Sequence, residues 1–167
     1  VQKKDRDQAL PFLKKAAGLD PNKAQRRRMA GIYSGLEEHA PALELLLELT
    51  KHLPESSDLW VQLSYTAAKL GNRDLALLSL NNAAGLKPSP RQRQSMMEIY
   101  GSLQDYGHAL TLAKSLIQEL PEEIGLRIYQ ADIAVKQGDN ELALTSLRQA
   151  EGLKPSAEQG RLIAGVY

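Results

Sequence analysis

Histidines and carboxylates are the side chains of this sequence best suited to catalysis or metal binding. His39, His52 and His108 fall on predicted loops or helix ends, and no second ligand stands at metal-binding spacing from any of them. Glu37 and Glu38 are neighbours that point to different sides of a helix, whereas a general acid and base must converge on one substrate. The sequence also contains no cysteine and no Gly-Lys-[Ser/Thr] phosphate loop. We therefore predict no catalytic residue, no metal site and no cofactor, and we predict that this segment is not an enzyme.

The length and composition indicate one folded domain. The chain has 167 residues, of which 43% are hydrophobic and 25% charged, with a formal net charge of +1, which is typical of a soluble globular chain. The absence of cysteine is compatible with a reducing and with an oxidising compartment. The longest apolar runs, such as residues 45–47, are far shorter than the ~20 residues of a spanning helix, so we expect no membrane insertion. The chain begins at Val1 inside a polar helical pattern, and we expect it to be a segment of a longer protein.

A pattern of about 34 residues repeats along the whole sequence. Its clearest markers are five prolines, each preceded by an alanine twelve positions earlier: Pro21, Pro54, Pro88, Pro121 and Pro155, with Ala9, Ala42, Ala76, Ala109 and Ala143. Between each alanine and proline, apolar residues recur at the spacing of one helix face, as in Ala76-x3-Leu80-x2-Ala83. The other half of each repeat carries a second helical pattern that ends, in the best copy, at Gly71, which we predict to form a left-handed cap. Each unit is therefore predicted to be a pair of antiparallel helices.

The turns between these patterns predict ten helices. We place them at residues 5–18, 23–36, 40–52, 57–70, 73–85, 90–103, 106–119, 123–137, 140–152 and 157–167. Pro41 suits a first helical turn, since its missing N–H would be unpaired there. Asn72 and Asp139 stand where N-caps are needed.

The repeat resembles the tetratricopeptide repeat (TPR), whose signature is W-x2-L-G-x2-Y, then A-x3-F, then P. The best copy consists of Trp60, Leu63, Ser64, Ala67, Ala76, Leu80, Ala83 and Pro88. It departs from the signature in that tryptophan occurs once and the second-helix aromatic is Leu or Ala. The resemblance implies an all-α, right-handed solenoid of antiparallel helix pairs. We expect a single array over 1–167, with a second half-repeat at 1–22, full repeats at 23–56, 57–89, 90–123 and 124–156, and a first half-repeat at 157–167.

A longer period of about 67 residues, twice the length of the repeat, lies on top of the first. Tyr33, Tyr100 and Tyr167 stand at this interval, and an ungapped alignment of 18–84 with 85–151 has 26 identical positions. We interpret pairs of repeats as packing units with distinct odd and even members. The alternative is that single repeats diverged and kept matching lengths by coincidence.

Charges alternate between the repeats. In the odd repeats, the first of the two helices is predicted at 23–36, 90–103 and 157–167. These helices begin with basic residues, namely Lys23, Arg26, Arg27 and Arg28, then Arg91 and Arg93, then Arg161. The even ones begin with Glu55 and Asp58, then Glu122 and Glu123. Cations at a helix N-terminus oppose the helix dipole, so a nearby negative charge is needed to stabilise them. That charge can come from ion pairing between adjacent repeats. Alternatively, Arg26, Arg28, Arg91 and Arg93 contact an anionic partner. Near-zero net charge and few aromatics argue against nucleic acid.

The resemblance also implies a binding surface. TPR proteins recognise a segment of a partner protein in a concave face lined by the first helix of each repeat. The family pattern places ten residues on that face: Arg27, Ser34, Val61, Tyr65, Lys69, Gln94, Glu98, Ile128, Asp132 and Lys136. The family's carboxylate-clamp subset is not predicted, because Arg27 is followed one turn later by Gly31 where the clamp has asparagine. Tyr65 is either a groove aromatic or a residue packed between repeats, and Trp60 is expected in the core.

These observations favour a noncatalytic protein-interaction scaffold. The chain is similar in repeat style to the periplasmic TPR segments of bacterial exopolysaccharide-export outer-membrane proteins. That resemblance implies a periplasmic location, and as partner a polysaccharide-modifying enzyme or another secretion component. The alternatives are a cytoplasmic location, a structural spacer, or the noncatalytic module of an enzyme whose active site lies elsewhere. The first and last helices lack neighbours within this sequence, so we expect both ends to expose adhesive faces.

Overall fold

The computed structural model describes residues 3–166, with side chains from residue 8 onward. The described chain forms ten α-helices: α1 (Lys3–Ala17), α2 (Lys23–Gly35), α3 (His39–His52), α4 (Ser57–Lys69), α5 (Arg73–Gly85), α6 (Pro90–Ser102), α7 (Tyr106–Glu119), α8 (Ile124–Gln137), α9 (Asn140–Gly152) and α10 (Ala157–Val166). Each predicted helix matches an observed one, with ends that agree to within two positions. The all-α prediction is confirmed. Tyr167, a marker of the longer period, lies outside the described residues.

The contacts divide the chain into two compact units, Val1–Pro88 and Ser89–Tyr167, which we call unit 1 and unit 2. We call α2, α4, α6, α8 and α10 first helices, and α1, α3, α5, α7 and α9 second helices. Within each unit a first helix packs on the second helix that follows it, as α4 does on α5 and α8 on α9. Second helices also pack on the next first helix, as α3 does on α4. The division into repeats at the predicted boundaries stays a prediction.

The turns inside the repeats use polar caps at a regular spacing. Asn72, Asp105 and Asp139 precede second helices, and the side chain of each accepts a hydrogen bond from the backbone N–H three positions later. Such a cap satisfies one of the unpaired donors of a helix start and stabilises it by about 1 kcal/mol. The predicted caps Asn72 and Asp139 are confirmed.

The residue just before these caps has left-handed backbone conformation. Gly71 has φ of 73° and Gly138 of 79°, whereas the equivalent positions in the other repeats hold Glu37 at 61° and Gln104 at 59°. The prediction of a left-handed glycine at the end of α4 is confirmed. The two non-glycine residues adopt a conformation that costs an L-residue about 1 kcal/mol.

The turns before odd first helices share a reciprocal capping box. The cap side chain accepts from the backbone N–H three positions on, and that residue's glutamine side chain accepts from the cap's own N–H. The pairs are Asn22 with Gln25, Ser89 with Gln92 and Ser156 with Gln159. These boxes recur once in every two repeats. The two-repeat packing unit itself stays a prediction.

The core of unit 1 shows how neighbouring repeats share apolar surface. Ala30 of α2 is fully buried in a cluster with Leu46 and Leu49 of α3 and with Leu59 and Leu63 of α4. A small residue of a first helix therefore lies between its own second helix and the next first helix. We call a residue in this position the inserting residue.

Unit 2 repeats the arrangement twice. Met97 of α6 is the inserting residue of one cluster, and Ala131 of α8 is that of another. Their cluster partners are Ala113, Leu116 and Leu126 for Met97, and Leu147, Ala150 and Ile163 for Ala131. Within each unit, the hydrophobic effect thus holds neighbouring repeats together, which is the stabilising principle of repeat proteins.

Candidate interaction surfaces

At one position of the first helices, Arg26, Trp60 and Arg127 each donate to the backbone carbonyl of the proline in the preceding turn. The indole Nε1–H of Trp60 donates to the carbonyl of Pro54 at 2.7 Å. The Nε–H of Arg26 donates to Pro21 at 2.6 Å, and Arg127 donates to Pro121. Trp60 is half-buried against the α3–α4 cluster.

These arginines were not recognised from the sequence as counterparts of the tryptophan. The signal was present, because Arg26, Trp60, Arg93 and Arg127 stand at the same position of successive repeats. An arginine can replace the tryptophan here because its guanidinium also offers an N–H and its stem covers apolar surface. A repeat with arginine at this position can therefore still make the hydrogen bond to the proline carbonyl of the turn.

Two of the basic residues at odd helix starts pair with the second helix of the same repeat. Arg26 forms ion pairs with Asp20 at 2.9 Å and with Glu48 of α3. Arg93 binds Glu119 of α7 through both terminal nitrogens, one of them at 2.6 Å. The hydrogen bond between them raises the pKa of Arg93 and lowers the pKa of Glu119. Ion pairs within the chain thus explain why Arg26 and Arg93 stand at helix starts. Their partners, however, are not the acidic helix starts predicted from the sequence, namely Glu55, Asp58, Glu122 and Glu123.

Arg27 makes the contact between adjacent repeats that the charge pattern suggested. It pairs with Asp58 of α4, whose other contact is the amide of Gln62 at 2.6 Å. The guanidinium groups of Arg28 and Arg91 remain exposed. Of the four arginines proposed for an anionic partner, Arg28 and Arg91 are the two that form no ion pair with another described side chain.

The exposed sides of α2 and α4 together form what we call the α2–α4 face. Its centre is Tyr65, which is 42% exposed. The Tyr65 ring meets His39 edge-on, with centroids 6.1 Å apart, and the Lys69 ammonium lies 5.3 Å from the centroid of the ring. Ser34 is half-buried and Val61 is only 7% exposed. Arg27, Tyr65 and Lys69 are therefore the predicted residues that remain accessible on this face.

The corresponding α6–α8 face of unit 2 is more acidic. Gln94 and Glu98 of α6 are exposed, and Asp132 of α8 pairs with Lys136 at 2.6 Å. Ile128 is half-buried and packs against the cluster around Ala131. The accessible part of this face is thus polar.

Tyr129 joins α6 to α8 beneath this face. Its hydroxyl donates to the backbone carbonyl of Met97 at 2.8 Å. Burial raises the pKa of Tyr129 to about 12, with smaller contributions from the negative charges of Glu98 and Asp132. The hydroxyl crosses the α6 backbone at Gly101, where an added Cβ would lie 2.2 Å from it. Tyr129 was not singled out from the sequence, because its partner is a backbone atom 32 residues away.

Metal binding and membrane spanning find no support among the described residues. No group of three or more His, Cys, Asp or Glu side chains in residues 3–166 is arranged to hold a metal ion. Over the same residues, each helix is too short or too polar to cross a bilayer. The helix faces instead offer exposed aromatic, basic and acidic side chains, which suit binding to another molecule.

Comparison with known proteins agrees with this architecture. Residues 57–90 match the family model of the tetratricopeptide repeat. A crystal structure of MamA protein superposes with a TM-score of 0.74 at 18% identity, covering 91% of this chain and 84% of that one. The chain has the TPR fold. No curated protein sequence matches it.

Other solved TPR-fold structures are equally similar. The structure of YrrB, described as a TPR protein with an unusual peptide-binding site, has a TM-score of 0.72 at 20% identity and covers 93% of this chain and 81% of its own. A tetratricopeptide repeat protein from Parabacteroides merdae has a TM-score of 0.72 at 20% identity, covering 98% of this chain and 65% of its own. The predicted TPR-like solenoid class is confirmed by these likenesses.

Proposed function

We propose that this chain is a noncatalytic scaffold that binds a segment of a partner protein on the exposed sides of its first helices, with the α2–α4 face as the main contact. The observation that carries the proposal is Tyr65. A tyrosine that is 42% exposed leaves much of its ring for contact with another chain, and tyrosine is among the residues that contribute most to protein interfaces.

The surroundings of Tyr65 define what such a segment must offer. Lys69 lies beside the ring and supplies a positive charge, whereas the charge of Arg27 on α2 is paired with Asp58 of α4. Gly31 on α2 has open space where a Cβ would stand, which leaves room for a bound backbone. An extended segment with a carboxylate near an apolar side chain would match these features.

The comparisons support this proposal in general terms. The TPR fold is commonly used for protein–protein interaction, and YrrB is described as having a peptide-binding site. The predicted concave face across all ten residues remains part of the proposal. The second candidate, an enzyme module, has no described side chain that favours it.

A phage-displayed library of random peptides, selected on the 167-residue chain, tests the proposal. We expect enriched peptides to bind in fluorescence anisotropy, and Tyr65→Ala to weaken that binding at least about tenfold, the usual effect of removing an interface anchor. Leu78→Ala is the matched control, since Leu78 is 57% exposed but lies on a second helix. Failure to enrich any peptide, or equal losses in the two variants, would show that the α2–α4 face is not the binding surface.

The cellular setting is a separate part of the proposal. Exopolysaccharide secretion and a periplasmic location follow only from the style of the repeats. Fusing the native gene, with its own upstream sequence, to alkaline phosphatase tests location, because that enzyme needs disulfides that form outside the reducing cytosol. An inactive fusion of normal abundance would favour the cytoplasmic alternative.

A further inference from the structure

A histidine contacts Tyr65, the proposed anchor of the α2–α4 face. His39 is the first residue of α3, and its imidazole meets the Tyr65 ring edge-on with centroids 6.1 Å apart. The other two histidines lie elsewhere: His52 is exposed in the last turn of α3, and His108 stacks on Tyr100 in unit 2. His39 is therefore placed to influence a contact that Tyr65 makes.

The contact between His39 and Tyr65 is not a general requirement of the repeat. In unit 2 the positions 67 residues later hold Tyr106 and Asp132, which cannot form a histidine–tyrosine pair. Unit 2 nevertheless folds into the same kind of helix pairs. The pairing of these two rings is thus particular to the α2–α4 face.

The position of the His39 ring suits its neutral form. Its Nδ1 is buried and has no hydrogen-bond partner among the described residues. A neutral imidazole can leave one nitrogen without a proton, whereas an imidazolium carries an N–H on both nitrogens. A buried N–H without an acceptor is unfavourable. On protonation the ring must therefore turn until Nδ1 reaches water or an acceptor.

Charged groups from neighbouring segments act on His39 in opposite directions. The Lys69 ammonium on α4 and the positive end of the α3 dipole oppose a positive charge on the ring. Glu37 and Glu38, directly before α3, favour one. Glu38 also lies close enough to Tyr33 of α2 to add to the effect of burial in raising the pKa of that hydroxyl. A protonated ring is thus drawn from Lys69 toward the turn, which removes it from Tyr65.

We propose that neutral His39 positions Tyr65 for binding, and that protonation of His39 weakens the binding of a partner segment on the α2–α4 face. The inference rests on the proposed function of that face. Histidine is the side chain that ordinarily changes charge between about pH 5 and pH 8. Because the binding arrangement contains the neutral ring, affinity should be complete at the alkaline end of this range and fall as the pH falls.

Aromatic NMR of the free 167-residue chain tests the positioning without a ligand. Between about pH 8 and pH 5, the Tyr65 ring signals should shift with the same midpoint as those of His39, and the nuclear Overhauser effect between the two rings should fade. His39→Phe cannot be protonated, so the Tyr65 shift should vanish in that variant. His52→Gln removes an exposed histidine of the same helix and should leave the shift unchanged. Tyr65 signals that do not follow His39, or that still shift in His39→Phe, would overturn the proposal.

Peptides enriched on the chain at about pH 7.5 test the effect on binding. Fluorescence anisotropy should show an affinity for the wild type at least about threefold lower at pH 5.5, while far-UV circular dichroism shows unchanged helix content. The affinity of His39→Phe should change less than about twofold over the same range, and that of His52→Gln should follow the wild type.

Two results would refute the pH dependence. A wild-type affinity that is constant or rises in acid would mean that His39 does not act through its neutral form, and an equal loss in His39→Phe would mean that another group titrates. If no peptide is enriched, the proposed function of the face fails, whereas the Tyr65 titration still decides whether His39 positions that ring.

Discussion

Replacing Gly101 with alanine should destabilise unit 2, although glycine-to-alanine substitutions in helices usually stabilise. The new Cβ would lie 2.2 Å from the hydroxyl oxygen of Tyr129 and 3.3 Å from Cζ of the same ring. Real Cβ atoms essentially never approach another heavy atom closer than 3.0 Å, and a phenol ring cannot bend away. The Tyr129 side chain must therefore move, and it then loses its hydrogen bond to the carbonyl of Met97.

The expected cost follows from three contributions. Overpacking of a fitted contact costs about 1–3 kcal/mol, and the lost hydrogen bond adds about 0.5–1.5 kcal/mol. Alanine has a higher helix propensity than glycine, which returns about 0.5–1 kcal/mol. The free energy of unfolding should therefore fall by about 0.5–4 kcal/mol.

Equilibrium urea unfolding followed by circular dichroism measures this change, with two control variants. Gly31→Ala lies in α2 where a Cβ meets nothing within 4 Å, so it should stabilise by about 0.5–1 kcal/mol. In a Tyr129→Phe background the hydroxyl is absent, and Gly101→Ala should cost close to nothing, which gives a coupling energy of at least about 1 kcal/mol. If Gly101→Ala proves neutral or stabilising in the wild type, or equally harmful in both backgrounds, the close approach of Tyr129 is not what restricts this position.

Three further outcomes are expected. Because the native state raises the pKa of Tyr129 to about 12 while an unfolded tyrosine titrates near 10, the native chain retains a proton that the unfolded chain has lost. The stability from this group is complete below about pH 10 and declines toward pH 12, so urea unfolding of Tyr129→Phe should show a shallower alkaline loss than the wild type. Gly71→Ala should lower stability by about 1–2 kcal/mol, since φ there is 73°, and a wild-type urea midpoint would contradict the left-handed turn. Trp60→Phe and Arg127→Met each remove a donor to a turn proline carbonyl, and each should lower the thermal midpoint by a few degrees; unchanged midpoints would mean that these bonds do not stabilise the turns.

The helices and turns of this chain could be predicted from its sequence because they depend on neighbouring residues. An apolar residue every third or fourth position specifies a buried helix face, and a cap or a left-handed glycine acts within one helical turn of itself. Asn72, Asp139 and Gly71 could therefore be placed correctly without tertiary information. Because the pattern repeats, a prediction made for one repeat could then be applied to the equivalent position in the other repeats.

The accessibility of the candidate site was not determined in this way. The family pattern assigned Val61 and Tyr65 to one face, yet the first is 7% exposed and the second 42%. The difference depends on which side chains of neighbouring helices cover each residue, and a helix pattern contains no such information. The partners of the basic helix starts were likewise unpredictable, since Arg26 and Arg93 each reach an acidic residue more than twenty positions away.

The series of helix pairs could be inferred from the amino-acid pattern, because periodicity and turn chemistry depend on neighbouring residues and recur at a fixed spacing. Two contacts were visible only in the folded chain: arginine takes the place of tryptophan beside Pro21 and Pro121, and Tyr129 fits against Gly101. Each of these depends on where distant segments meet in space. That is set by the packing of whole helices against one another, which the local pattern of residues does not specify.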